Sequence, residues 1–251
     1  MIMPLNALIQ TPRNIAVRSL KSTLEHLRPA SERRLCYIHI GKCGGATVNK
    51  AIDTSPLIAE AFDHVSVSHV ARPVYKPRNR YLFVVRNPID RAISAFNWRQ
   101  RLVHEEARPD HRFPGEAEVL TKYGTLEALA LALYDGDSLV PEVASEFRRI
   151  HHLREDMAFY LDPAIPVLSA DQVFAVLCQE TLDADIEARL GVPTPGRVHD
   201  NRSRTATEKT VLSPAARANL ARFLDRDFAA LEWLMTLFPL REDQRDALLK
   251  H

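Results

Sequence analysis

The stretch Leu35-Cys-Tyr-Ile-His-Ile-Gly-Lys-Cys-Gly-Gly-Ala-Thr47 constrains this chain more than any other. Leu35 to Ile40 is apolar apart from His39, the pattern of a central parallel strand covered on both faces. The run stops at Gly41, and Lys42, Gly44, Gly45 and Thr47 precede a helix-compatible segment from Val48 to Ile52. Strand, glycine-rich turn and helix start, in that order, build an anion site. Glycine lets backbone approach a phosphate closely, and the first N–H groups of a helix have no partner within it. Lys42 adds a full positive charge and Thr47 a hydroxyl. Of the 8 glycines in 251 residues, three fall at positions 41, 44 and 45, more than an ordinary strand-to-helix turn requires.

A second anchor follows. Tyr81-Leu-Phe-Val-Val85 reads as another buried strand and ends in Arg86-Asn87-Pro88. Asn87 suits an N-cap and Pro88 the first helical position, so a helix is expected from there to about Val103. Ile89, Ile93 and Phe96 give it one apolar face, and Ser94 lies eight residues beyond Arg86. Val65 to His69 alternates as a short strand, and Gln172 to Cys178 is a third strand candidate before a helix from Asp183 to Leu190. Helices are further expected after Thr47, over Leu126–Tyr134 and Val140–Leu153, and from Ser213-Pro214 through Leu220, Phe228 and Leu234.

Strands alternating with helices predict an α/β chain: a P-loop-like three-layer fold whose central, mainly parallel β-sheet is flanked by helices. Residues 1–251 are read as a single domain. Residues 1–33 form a helical extension in this reading, with a basic amphipathic stretch from Ile15 to Leu27 that would pack on the domain or on a second copy in a homodimer. Residues 97–160 are read as a helical insertion beside the acceptor site, and Gly191 to Thr210 as a long functional loop.

A net charge of +1 makes nucleic acid and acidic membranes poor candidates for the main partner, so anion recognition must come from a local cluster. Cys36, Cys43 and Cys178 include no CxxC pair and suggest neither a disulfide framework nor structural zinc; a reducing, cytoplasmic setting is expected. No apolar window is long enough for a transmembrane segment, and the first residues lack a secretory apolar core.

The two anion motifs are recognisable together. Tyr37 to Thr47 resembles the 5′-phosphosulfate loop of sulfotransferases that use 3′-phosphoadenosine-5′-phosphosulfate (PAPS). Val84-Val-Arg-Asn-Pro-Ile-Asp-Arg-Ala-Ile-Ser-Ala-Phe96 resembles their 3′-phosphate motif, with Arg86 and Ser94 at the family's spacing. The nearest likeness is to the carbohydrate sulfotransferases and their bacterial relatives. His199-Asp-Asn-Arg-Ser203 is similar to a His-x-Asn-x-Ser loop of that group, and Asp227-Phe228 to an Asp-aromatic pair in its closing helix. The chain departs from the pattern at Gly41, where proline is usual, and at Cys43, where threonine is usual.

The resemblance implies sulfuryl transfer from PAPS to a hydroxyl acceptor, a sugar or glycolipid, with adenosine 3′,5′-bisphosphate as product and no metal. It implies that Gly41, Lys42, Cys43, Gly44, Gly45, Ala46 and Thr47 hold the 5′ end of the donor. Arg86 and Ser94 would hold the 3′-phosphate, with Arg202, Ser203 and Arg204 closing over it. Lys42 is the electrophilic partner of the leaving oxygen. His69, with His64 next, is the candidate general base. His39 is read as a core histidine, and His151-His152 with Asp156 as a solvated helix face. Cys43 would be an oxidation-sensitive thiol if Lys42 and the helix end lower its pKa, and the sequence leaves that open.

Two other function classes are weighed. A P-loop kinase or NTPase needs lysine directly before Ser/Thr, whereas Lys42 precedes Thr47 by five positions and no apolar strand ends in a metal-binding Asp. A non-catalytic nucleotide-binding protein would keep the cradle and lack a histidine facing it.

Overall fold

The apolar runs found in the sequence pair into one sheet, and their order decides where a ligand can lie. The structure, a computed structural model, describes residues 32–69, 71–106, 114–193 and 211–251. The principal strands are β1 (Arg34–Ile38), β2 (His64–Ser68), β3 (Asn79–Val85) and β6 (Val173–Cys178). They form a parallel sheet in the order β2-β1-β3-β6. Tyr81 to Val85 are all buried, as expected of a strand with neighbours on both sides and helices over it.

The chain passes from β1 to β2 on one side and returns to β3 on the other. The carboxyl ends of β1 and β3 therefore flank a topological switch point, the usual place for a ligand in an open parallel sheet. Helix α1 (Gly45–Thr54) follows β1, and α2 (Pro56–Ala61) leads into β2. Helix α3 (Pro88–Gln100) follows β3. Asn87 caps it as expected: its Oδ1 accepts from the N–H groups of Ile89 and Asp90. Its Nδ2 donates to Leu248 and Lys250 carbonyls, so the same side chain also ties down the C-terminal helix. A π-helical turn at Arg101–Glu105 continues α3.

Helices α4 (Glu116–Tyr123), α5 (Leu126–Ala132), α6 (Pro141–Phe147) and α9 (Pro214–Phe223) pack with α3 around a second apolar cluster that includes Phe96, Leu129, Phe147 and Leu220. The sheet's own cluster takes in α1, α7 (Met157–Leu161), α8 (Leu182–Leu190) and α10 (Asp225–Leu237). A short ribbon of β4 (Tyr134–Asp135) and β5 (Ser138–Leu139) and a final helix α11 (Glu242–Leu249) complete the described elements.

Three helical expectations are shortened. Leu126–Tyr134 ends at Ala132 because Tyr134 enters the ribbon. Val140–Leu153 ends at Phe147, beyond which the chain turns and His152 takes a left-handed φ of 67°. The run from Ser213 to Pro239 divides at Leu224 into α9 and α10. The expected extension at 1–33 and the loop to Thr210 lie almost wholly outside the described residues. Among the described residues, no helix is long and apolar enough to cross a membrane.

Candidate active site

The turn after β1 is bent by two left-handed residues, Lys42 at φ 72° and Gly44 at φ 86°. Glycine adopts that conformation freely; a lysine there is strained by about 1 kcal/mol or more. The bend leaves Gly44 as the N-cap of α1 with no side-chain cap. Among the described residues, no backbone carbonyl accepts from the N–H groups of Gly41 through Ala46. A run of unmatched donors at a helix start, beside a lysine, is the physical content of an anion cradle. Ala46 is exposed and Thr47 half-buried, so this edge of the turn is open to a ligand.

The turn is wedged from several sides, which explains its glycines. A Cβ on Gly45 would lie 1.7 Å from His39 Nε2, and one on Gly44 1.9 Å from Gln179 Oε1. A Cβ on Gly41 would lie 2.5 Å from His152 Nδ1. Any side chain at this position, a proline included, would therefore collide with His152.

Two arginines fasten the turn to α3 and its entry. Arg86, at the end of β3, donates from Nη1 to the Lys42 carbonyl at 3.2 Å, leaving most of its fork for another acceptor. Arg91 is only 2% exposed; its Nε donates to the Gly41 carbonyl at 2.9 Å, and its Nη2 to the carbonyls of His152 and Glu155. Sequence reasoning missed Arg91, since nothing in its spacing separates an arginine beneath a loop from one on a helix surface. Ser94 sits one turn before Trp98 on α3, half-buried.

Lys42 Nζ lies 4.7 Å from the centre of the Trp98 ring, a cation–π contact. Burial, then the guanidinium groups of Arg86, Arg101 and Arg91, pull its pKa down to about 8. Cys43 goes the other way. It is fully buried, and burial pushes its thiol up to about 11, outweighing Arg91 and Arg86. The expectation of a reactive, oxidation-sensitive thiol is overturned, because desolvation of a thiolate exceeds the help of nearby cations.

The histidines are sorted by the sheet register. His64 pairs with Arg34 at the amino end of β1, the opposite end of the sheet from the Lys42 turn. The structure therefore does not bring His64 to the other candidates. His69 follows Ser68, which pairs with Ile38 at the carboxyl end. Its Nδ1 lies 3.0 Å from the His39 carbonyl. A carbonyl only accepts, so Nδ1 carries the proton and Nε2 presents the lone pair. Tyr160 donates its hydroxyl to the His69 carbonyl, fixing the backbone as well.

His39 is not the core histidine expected. It lies just past β1, stacks on His69 with ring centres 3.9 Å apart, and packs against Gly45. Burial, then the neighbouring His69 imidazole, lower its pKa to about 4, so it is neutral at pH 7. The solvated-face reading of His151-His152 also fails. His152 is 7% exposed, stacks on His151 at 4.0 Å, and lies 5.1 Å from Trp98 and 6.5 Å from His69. Burial drives its pKa far below the usual range. The buried Arg99–Glu116 ion pair holds this segment, as Glu116 also accepts from the His151 N–H at 2.7 Å.

His151, His152 and Glu155 place ligand-type atoms within 4.8 Å of one another. The two imidazoles, however, stack with planes only 20° apart. Their lone pairs run in nearly parallel planes, and the cluster by itself neither assigns nor excludes a metal. Arg202, Ser203 and Arg204 lie outside the described residues.

The fold and site define an α/β protein with a glycine-bent turn at the switch point of an open parallel sheet, whose N–H groups from Gly41 to Ala46 lack backbone partners among the described residues and which is rimmed by Lys42, Arg86 and a row of histidines. No family model, curated protein or solved structure matches the chain.

Proposed function

We propose that the protein is a PAPS-dependent sulfotransferase acting on a hydroxyl acceptor, a sugar or glycolipid. The observation that carries the reading is the row of N–H groups from Gly41 to Ala46 with no backbone partner among the described residues, bordered by Lys42 and by Arg86 reaching across from the neighbouring strand. A donor with phosphate-like groups at both ends needs two anion anchors on one rim. The Gly44-capped start of α1 fits the first, since no side chain caps it and its first N–H groups have no backbone partner among the described residues. Arg86, with Ser94 two turns along α3, supplies the second.

When bound, PAPS supplies an activated sulfuryl group. The work of the chain is then positioning and charge placement. The Gly41–Ala46 amides and the Thr47 hydroxyl hold the 5′ end, and the Lys42 ammonium faces the charge that develops on the departing phosphate. Trp98 on one side of Lys42 holds its amine in place through the cation–π contact. His69 Nε2 takes the acceptor proton, because its Nδ1 is already committed to the His39 carbonyl. The neutral His39 stacked on it keeps that ring in place.

Titration calorimetry with adenosine 3′,5′-bisphosphate against ATP-Mg²⁺ tests the reading. The bisphosphate is expected to bind and ATP-Mg²⁺ to bind weakly or not at all; the reverse order sinks the proposal. Transfer of labelled sulfate from PAPS to glycan acceptors, lost in His69→Ala with bisphosphate binding intact, tests the base.

A further inference from the structure

A cleft of about 700 Å³ opens between the end of α6 and the start of α7, lined by Ser145, Arg148, Arg149, Arg154, Glu155 and Phe159. Its size is that of a site for a molecule, well beyond one ion. Arg148, Arg149 and Arg154 bring three guanidinium groups to its lining against the one carboxylate of Glu155, in a chain whose net charge is only +1, and Arg154 is engaged with a partner of its own. That carboxylate is engaged elsewhere: Glu155 is 5% exposed and lies 3.5 Å from His151 Nε2.

Arg148 and Arg149 form no ion pair among the described residues. Arg148 lies over the Phe223 ring at 4.8 Å, and the Arg149 side chain rests against Gly115. The Arg148 guanidinium also donates to the Ala144 carbonyl at 3.5 Å, so both guanidinium groups are held in place, and neither is neutralised by a carboxylate among the described residues. Like charges gathered in a concavity raise the local potential and draw an anion to it. Arginine's planar fork matches a carboxylate or a sulfate ester with paired hydrogen bonds. The half-buried Phe159 ring adds an apolar surface on the floor.

The cleft joins the candidate active site through its own wall. Glu155 contacts His151, His151 stacks on His152 at 4.0 Å, and His152 lies against the Gly41 turn and 6.5 Å from His69. Arg91 donates to the carbonyls of His152, Glu155 and Gly41, so one buried side chain ties wall to turn.

We infer that the Arg148–Arg149–Arg154 cleft binds an acidic sugar of the acceptor, through a carboxylate or sulfate ester, while another part of the same oligosaccharide extends towards His69. The word acceptor rests on the transferase reading; the binding itself does not.

The test is binding of three hexasaccharides to the full chain by calorimetry: uronate-bearing hyaluronan, sulfated chondroitin and neutral maltohexaose. One or both acidic sugars are expected to bind, and the neutral one to bind far less. Hyaluronan binding assigns the carboxylate, and binding of the sulfated probe alone assigns the ester. The double variant Arg148→Ala, Arg149→Ala is expected to weaken acidic-sugar binding about tenfold or more, the scale of losing charge-assisted contacts. Arg217→Ala with Arg245→Ala, on other helices, should change it little. Equal binding of the neutral sugar, no loss in the cleft variant, or equal loss in the distant one overturns the inference. Adenosine 3′,5′-bisphosphate affinity of the cleft variant is measured alongside and should be unchanged. Failure of bisphosphate binding with intact acidic-sugar binding would refute the transferase and leave the cleft assigned.

Discussion

Replacing Gly41 by alanine separates two opposed effects whose signs the geometry predicts. Gly41 is not among the glycines with positive φ, so alanine meets no backbone strain there. On conformational grounds alone, Gly41→Ala should stabilise by about 0.4–1 kcal/mol, because the unfolded chain loses freedom. The new Cβ, however, would lie 2.5 Å from His152 Nδ1 and 2.8 Å from Cε1. His152 cannot swing away freely: it is 7% exposed and held between His151 and Trp98. Overpacking of this kind costs about 1–3 kcal/mol, which exceeds the entropic gain. Net destabilisation on the order of 1–2 kcal/mol follows. In a His152→Ala background the obstruction is gone, and the same Gly41→Ala change should become stabilising by the entropic amount alone.

The measurement is a double-mutant cycle by urea denaturation, with melting temperatures as a second readout at about 2–4 °C per kcal/mol for a chain of this size. Reversal of sign between the two backgrounds is the expected result. Additive effects, with Gly41→Ala equally harmful with and without the His152 ring, would refute the packing argument.

Three further outcomes follow from the buried charges. Lys42 titrates at about 8 when folded against 10.5 ordinarily, so between these values the unfolded chain holds a proton that the folded one has lost. Stability from this group rises with pH across that window, and the rise should vanish in Lys42→Met. Bisphosphate affinity should fall as pH rises through about 8 in the native protein, and stay flat in Lys42→Met. Beneath the site, burial and the Asp156 charge raise the pKa of Asp227, whose Oδ2 is unpartnered while Oδ1 accepts from the Ala158 N–H. The folded state keeps a proton that the unfolded state releases in the ordinary carboxylate range, so stability falls as pH climbs from there towards neutrality. Asp227→Asn should flatten that fall, seen as a smaller pH dependence of the urea midpoint; an unchanged slope would exclude Asp227 as its source.

Much of the fold was legible because its signals are local. A buried strand needs a continuous apolar run, which Tyr81–Val85 supplies, and a helix start needs a cap, which Asn87-Pro88 supplies. The Gly41–Thr47 turn was legible for the same reason, since unmatched N–H groups and glycines are written in consecutive residues. What was not legible is everything that arrives from elsewhere in the chain. Cys43 looked activated beside Lys42, but its burial is set by the packing around it and decides the opposite. His64 and His69 differ by five positions in sequence, yet the register with β1 sends them to opposite ends of the sheet.

By itself, the sequence determined the elements, the parallel α/β class and the presence of a cationic, glycine-bent turn after the first strand. Only the tertiary structure decided the company that turn keeps. The strand order set β1 beside β3, and so Arg86 beside Lys42. A left-handed residue ended the 148–153 segment as turns and drove His152 onto Gly41. Backbone periodicity is a property of neighbours in sequence; which ring fills the space above a glycine depends on chain segments more than a hundred residues away.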